Sequence, residues 1–441
     1  MFKKLTRASV NLVEKYLPDA FIFAIILTII VFFLSIFTQS KTPLEVVGYW
    51  GKGFWGLLGF SMQMVMVLVT GHALAQAPVI SKALKKIASI AKTPAQAILL
   101  VSFISGVACW LNWGFGLVIG ALFANELAKQ VKGVDYRLLI ASAYSGFLVW
   151  HAGISGSIPL KVVEAGGGLK GIKFPGIPVS QTIFSNFNLV ISIVLILTLP
   201  IINMLMMPKK EEVIEFDPST LEAADDECFV EKFIPKTFAQ KLENSSIVSI
   251  IIAILGFAYI IKYFIGGGEL SLDSINMIFL FAGILLHWTP MRYIRAIDKS
   301  VKGTGGIVLQ FPFYGGIMGI MVDSGLASSI ANWFVSVSTV KSYPVYTFWS
   351  AGLINLFIPS GGGQWAAQGP IVMAAAPRLG VPLGKAAMAL AWGDAWTNMI
   401  QPFWALPILG LAKLGARDIM GYCLMDLIYS GIIISLFLFL L

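Results

Sequence analysis

Four long apolar runs in this 441-residue chain are interrupted by polar and glycine residues at points that would lie deep in a bilayer. Cys109-Trp110-Leu111-Asn112-Trp113-Gly114-Phe115-Gly116 breaks one run, and His151-Ala152-Gly153-Ile154-Ser155-Gly156-Ser157 breaks the next. Phe357-Ile358-Pro359-Ser360-Gly361-Gly362-Gly363-Gln364 and Gly393-Asp394-Ala395-Trp396-Thr397-Asn398 repeat the arrangement in the second half. Irregular backbone at membrane depth leaves amides and carbonyls that lipid cannot satisfy, so it persists only where it lines a cavity or grips a ligand. Paired interruptions in two halves point to a secondary-transporter binding site.

Composition sets the solvent. The chain is 57% hydrophobic and 12% charged, about half the charge fraction of a soluble domain. Runs such as 19–37 and 424–441 are close to the roughly 20 residues that cross a bilayer core. The first run is too long for a signal peptide and no small-residue cleavage pattern follows it, so it reads as a span. Cys109, Cys228 and Cys423 are scattered and odd in number, which argues for free thiols over disulfides or a metal site. The net charge of +8 conceals a split, because the loop 208–243 carries 10 of the 23 acids. Basic residues at membrane edges set orientation, so nucleic acid is not the expected partner; the lipid bilayer is.

Crossings are expected at about 19–38, 54–75, 136–158, 180–206, 247–265, 272–289, 304–322, 383–406 and 419–441. The runs at about 95–131 and 344–378 are too long for one span and read as re-entrant hairpins. Lys3, Lys4, Arg7 and Lys15 place the N-terminus in the cytoplasm, together with Lys82 to Lys92, Lys129 to Arg137, Arg292 to Lys302, Lys413 and Arg417. The C-terminus then falls outside, and the two hairpins enter from opposite faces. The organisation is a first inverted repeat over 1–207, an acidic cytoplasmic linker over 208–243 with a solvated, disorder-like composition, a connecting span within 244–271, and a second repeat over 272–441. A gap-free offset of 247 aligns Gly114 with Gly361, Gly116 with Gly363, Gly133 with Gly380, Gly146 with Gly393, and His151 with Asn398. Short amphipathic stretches, Val79 to Lys92 and Leu326 to Ser338, precede the hairpins.

Outside the linker, only Asp394 falls well inside an expected span. An intramembrane carboxylate costs about 2.5–3.5 kcal/mol on insertion scales, which marks it as functional. His151 is the deep histidine; His72 and His287 lie near span ends. Asn112, Gly114, Ser360, Gly361 and Gln364 occupy the hairpin tips, where glycines let backbone groups approach a small ligand. Ser155, Ser157, Thr397 and Asn398 occupy the other two interruptions. No Lys or Arg occurs in the four broken regions, so an anion there would be held by half-helix N-termini and by hydroxyl and amide donors. That suits a small monocarboxylate.

These segments resemble the bacterial short-chain fatty acid transporters of the AtoE type, over nearly the whole length. The resemblance is carried by the opening Phe2-Lys3-Lys4-Leu5-Thr6-Arg7 to Tyr16-Leu17-Pro18-Asp19, by the four interruptions, and by Trp150 and Trp365 beside them. It implies uptake of acetoacetate, butyrate and related acids across the bacterial inner membrane. The chain is similar more distantly to the ion-transporter superfamily, whose members have inverted repeats with opposed hairpins, commonly form dimers and move by an elevator. That likeness implies a homodimer.

The expected fold is therefore an all-α polytopic membrane protein with inverted repeats, two opposed re-entrant helical hairpins and two broken helices. The expected activity is import of short-chain monocarboxylates coupled to Na⁺ or H⁺, with no other cofactor. The substrate carboxylate is placed among Asn112, Gly114, His151, Ser155, Ser157, Ser360, Gly361, Gln364, Thr397 and Asn398. Asp394, with Asn112 and Asn398, is assigned to the coupling cation. A passive channel, or a carrier for another small carboxylate, is the alternative. A more remote one is an intramembrane serine protease, because Gly153-Ile154-Ser155-Gly156 matches a GxSG motif.

Overall fold

The computed structural model describes residues 2–16, 20–163, 165–168, 174–216, 237–268, 272–302, 304–359 and 361–441. Among them there are helices and turns and no strand. The first half contains α1 (Phe2–Tyr16), α2 (Ala20–Gln39), α3 (Pro43–Gly53), α4 (Leu58–Ala75), α5 (Pro78–Ala88), α6 (Pro94–Leu111), α7 (Trp113–Gln130), α8 (Tyr136–Ser145), α9 (Ser157–Lys161) and α10 (Asn186–Leu205). The second contains α11 (Phe238–Glu243), α12 (Ser246–Ile265), α13 (Leu272–Leu286), α14 (Pro290–Val301), α15 (Gly305–Asp323), α16 (Leu326–Ser336), α17 (Tyr343–Asn355), α18 (Gly361–Arg378), α19 (Leu383–Thr397), α20 (Pro402–Ala412) and α21 (Ala416–Leu440).

Seven described helical runs are long and apolar enough to cross a membrane, or eight if α3 and α4, bent by 42°, make one span. This is a helical, multi-span membrane protein. The run from Tyr136 to Lys161 differs from the other six: 94% of its most apolar window is buried, against 22–50% for the rest. It therefore passes through the middle of the molecule.

Both expected hairpins are present as helix pairs. In the first, Asn112 leaves helical geometry at φ −155° and ψ 122°, and its side chain caps α7 by accepting from Phe115 N–H at 3.0 Å. The arms close tightly because a Cβ on Gly116 would overlap Cys109. In the second, α17 ends at Asn355 and α18 starts at Gly361. The amphipathic stretches form α5 and α16 just before the hairpins, as expected. Gly133 and Gly380, aligned by the offset of 247, both end a hairpin with positive φ, 77° and 69°, a conformation that glycine adopts without a Cβ clash. The next helices, α8 and α19, start at Tyr136 and Leu383, again 247 residues apart.

One expectation is corrected. The fourth interruption is not at Gly393–Asn398: α19 stays helical through Thr397, and the break runs from Asn398 to Gln401. Pro402 sets it, since a proline excludes α geometry from the residue before it, and Gln401 is extended at φ −100° and ψ 110°. The broken helix expected over 383–406 is accordingly the pair α19 and α20, with its break later than expected. The start of the acidic linker is exposed and is also held by hydrogen bonds to the end of the first hairpin. Ile214 N–H donates to Asp135 Oδ2 at 3.0 Å, Gly133 N–H to Glu215 Oε1 at 3.0 Å, and Tyr136 N–H to the Ile214 carbonyl at 2.8 Å. Arg7 also pairs with Glu212 and holds that carboxyl below its usual range. The acids at 217–231 and Cys228 lie outside the described residues; Cys109 and Cys423 are buried free thiols.

Two helix sets emerge from the packing. The hairpins and broken segments (α6 to α8 and α17 to α20) pack with α1, α10 and α21, while α2 to α4 pack with α13 to α15. The sets meet where α4 touches α7 and α15 touches α20.

Candidate functional site

The two broken segments cross, and a buried histidine meets a buried aspartate at the crossing. His151 sits in the 3-10 segment Gly146–Ala152 that follows α8, and Asp394 lies in the last turn of α19; both are 0% exposed. Ile158 N–H points at His151 Nε2 at 3.0 Å. An amide can only donate, so Nε2 accepts, and the neutral imidazole carries its proton on Nδ1. That proton is donated to Asp394 Oδ2 at 2.9 Å. Ser157 Oγ lies 3.0 Å from Nε2, and Trp150 stacks on the imidazole at 4.0 Å between centroids. Asp394 Oδ1 is buried with no hydrogen-bond partner. A buried acceptor left open in this way is costly, and a bound cation or a proton would satisfy it.

The second hairpin closes onto the same pair. A Cβ on Gly361 would overlap Ser157 Oγ and come within 2.7 Å of His151 Cε1, whereas one on Gly362 would meet nothing within 4 Å. The first turn of α18 thus abuts the half-buried Ser157 with open space beside it. Ser360 lies outside the described residues.

The remaining expected residues hold the frame. Ser155 Oγ accepts from Trp113 N–H at 3.0 Å, joining the first tip to the first break. Asn112 caps α7, and Gly114 lies against Val67 of α4. Asn398 Oδ1 accepts from Trp150 Nε1 at 2.9 Å, and its carbonyl accepts from the Tyr144 hydroxyl at 2.7 Å. Both asparagine oxygens assigned to the cation are therefore already engaged. Thr397 donates to the Gly352 carbonyl at 2.8 Å. Gln364 braces the second hairpin by donating to the Ala351 carbonyl at 2.8 Å, while its Oε1 stays unpaired. The hydroxyl beside His151 belongs to Ser157, not to Ser155 of the GxSG match. Among the described residues no three His, Cys, Asp or Glu side chains are grouped to hold a metal ion.

Three buried amides escaped the sequence reading. Asn355 donates to the Asp394 carbonyl at 2.7 Å, Gln401 donates to the Asn355 carbonyl at 2.8 Å, and Asn188 accepts from Trp392 while donating to the Ala152 carbonyl at 3.0 Å. Each is an isolated amide within or beside an apolar run, which is the signal that could have found it.

A family model described as short chain fatty acid transporter matches residues 1–441. Proteins of Escherichia coli (strain K12) and Haemophilus influenzae, both named for short-chain fatty acid transport, are 47% and 46% identical; each alignment covers 98% of this chain and 98% of the relative. The chain belongs to the short-chain fatty acid transporter family. Among solved structures, the transporter resembles the Alcanivorax borkumensis YdaH transporter (TM-score 0.46, 14% identity, 95% of this chain and 98% of that one). It also resembles the Neisseria gonorrhoeae antimetabolite efflux pump MtrF (TM-score 0.40, 14% identity, 99% and 98%). These scores are too low to transfer any residue role.

The transporter holds a second deep acid besides Asp394. Asp426 is 0% exposed, and both carboxylate oxygens lack a partner. The span starts at Ala416 rather than 419, so Asp426 lies about 15 Å along α21. The neighbouring Leu427 carbonyl accepts from Trp396 Nε1 at 2.7 Å, tying this stretch to α19. Removing an unpaired buried carboxyl relieves about 1–3 kcal/mol, so Asp426→Leu is expected to raise the thermal midpoint of the purified transporter. An unchanged or lower midpoint would show that water or an ion satisfies the group.

Proposed function

We propose that the transporter imports short-chain monocarboxylates of the acetoacetate and butyrate type, coupled to Na⁺ or H⁺. The observation that carries this reading is the His151–Asp394 pair at the crossing of the broken segments, with one carboxylate oxygen unpaired. That oxygen is the coupling-cation ligand, or the proton acceptor when H⁺ is the coupling ion. The Ser157 hydroxyl and the first-turn amides of α18 supply donors for one carboxylate. A single unit of anionic charge suits a site with no Lys or Arg in its four broken segments.

Movement follows from the two helix sets. The hairpins and broken segments are joined by buried hydrogen bonds through Asn188, Asn355, Asn398 and Gln401, so they move as one body against α2 to α4 and α13 to α15. The charge pattern supports a bacterial inner-membrane orientation with the N-terminus cytoplasmic. A passive channel needs an open path, whereas His151 and Asp394 are closed off completely; alternating access is the better reading.

The test is uptake of labelled butyrate into proteoliposomes, with Na⁺ and pH gradients imposed separately. Accumulation above the outside concentration is expected with one gradient and not with the other. Equilibration without accumulation under both gradients would establish passive transport instead.

A further inference from the structure

A cavity of about 620 Å³ opens between the start of α15, the C-terminal half of α20 and the start of α21. Its wall carries three basic side chains, Lys302, Lys413 and Arg417, against one acid, Asp418. Asp418 already accepts from Gly415 N–H at 2.7 Å in the cap of α21, so the surplus of positive charge faces the cavity. Lys302 and Lys413 have no ion-pair partner among the described residues. Two helix N-termini, of α15 and α21, and two C-termini, of α14 and α20, end here, so the helix ends largely offset one another and the surplus is that of the side chains.

Gln310 supplies an independent sign of a ligand. It lines the cavity, is 4% exposed, and forms no hydrogen bond among the described residues, its Oε1 being buried and its Nε2 not closed off. A buried amide that bonds to nothing in the protein is rare, and its NH₂ is available to donate to an anion. Lys413 adds a further departure from expectation, holding φ 57° at the end of α20, a C-terminal position glycine usually fills. A lysine retained there at a conformational cost brings its charge to the cavity mouth. Leu406, Leu409 and Leu414 form an apolar wall beside the charges.

We propose that this cavity is a second carboxylate site, a vestibule that holds a short monocarboxylate on its way to or from the buried pair. The head group sits among Lys302, Lys413, Arg417 and Gln310, and the alkyl tail lies on the leucines. The location fits a route. From Lys413 to Leu406 the cavity follows about 10 Å of α20, and Leu406 is about 8 Å along the axis from the break at Gln401. It also lies where α15 of one helix set meets α20 of the other, the boundary that opens when the sets slide.

The inference rests on the carboxylate-transport reading, and its test separates the two. Equilibrium binding of labelled butyrate to the purified full chain should show a second, weaker class of sites that survives Asp394→Asn and disappears in Lys302→Gln/Lys413→Gln. In vesicles of neutral phosphatidylcholine, the same double variant should raise the KM for butyrate, on the face bearing Lys413, about tenfold at low salt, with the difference vanishing at high salt. Absence of the second class in the wild-type chain, or its persistence in the double variant, overturns the vestibule. So does a KM effect seen only when anionic lipid is present, which would make the cavity a headgroup site. Failure of the transport reading shows separately, as wild-type vesicles that accumulate no carboxylate.

Discussion

Asp394→Asn is expected to abolish concentrative butyrate uptake, by about a hundredfold or more, in a protein that still folds. The asparagine carbonyl can accept the His151 Nδ1 proton that Asp394 Oδ2 accepts now at 2.9 Å, so the crossing of the broken segments keeps its hydrogen bond. What disappears is the negative charge and the unpaired Oδ1, which an NH₂ group replaces. A cation or proton then has no anionic partner at the crossing. Losing one partner of a buried charged contact costs about 3–5 kcal/mol, and each 1.4 kcal/mol is a factor of ten. The measurement is accumulation of labelled butyrate under the productive gradient, with the thermal midpoint taken on the same preparation. Wild-type accumulation would remove Asp394 from the coupling step. Asp394→Ala is the instructive contrast: it strands the imidazole N–H in a buried site, so there the folded state itself is expected to weaken by about 1–3 kcal/mol.

The residues of the pair were legible one at a time, and their meeting was not. His151 and Asp394 are conspicuous because a polar group within an apolar run needs a reason, but nothing in the chain says that positions 243 apart touch. The offset of 247 set His151 opposite Asn398. In the structure Asn398 receives Trp150, the neighbour of His151, and His151 turns to the acid one helical turn earlier. The fourth break was placed too early for a related reason. Gly393, Asp394 and Asn398 look like helix breakers when read locally, yet Asn355 and Thr397 supply hydrogen bonds that let α19 continue through them. The covalent constraint of Pro402, which acts whatever the surroundings, marks the true boundary. Hairpin positions were readable because they depend on local chemistry. The bracing amides Asn188, Asn355 and Gln401 were not, because a single buried amide identifies its partner only once the helices are packed.

Gly146→Ala and Gly393→Ala should destabilise the protein by similar amounts, each by about 1–3 kcal/mol or more, with loss of uptake in both. A Cβ on Gly146 would strike the backbone of Ser105 and Gly106 in the first arm of the first hairpin. One on Gly393 would strike the Phe348 carbonyl, Ala351 and the Gly352 amide in the first arm of the second. Ser105 and Gly352 are 247 residues apart, the same spacing that separates the two glycines. Each half therefore presses a broken segment onto its own hairpin at one equivalent point. In both cases backbone atoms stand in the way, and backbone cannot rotate aside as a side chain can. Cost and consequence run together here, since a segment held away from its hairpin also displaces His151 in one half and Asp394 in the other. Gly48→Ala is the control: it lies within α3, a Cβ there would meet nothing within 4 Å, and the exchange should stabilise by about 0.5–1 kcal/mol. Thermal midpoints and butyrate uptake of the three variants decide the matter. Matching losses at Gly146 and Gly393 would tie the internal repeat to packing. A loss at one glycine alone would show that only one hairpin is clamped, leaving the other free to open as a gate.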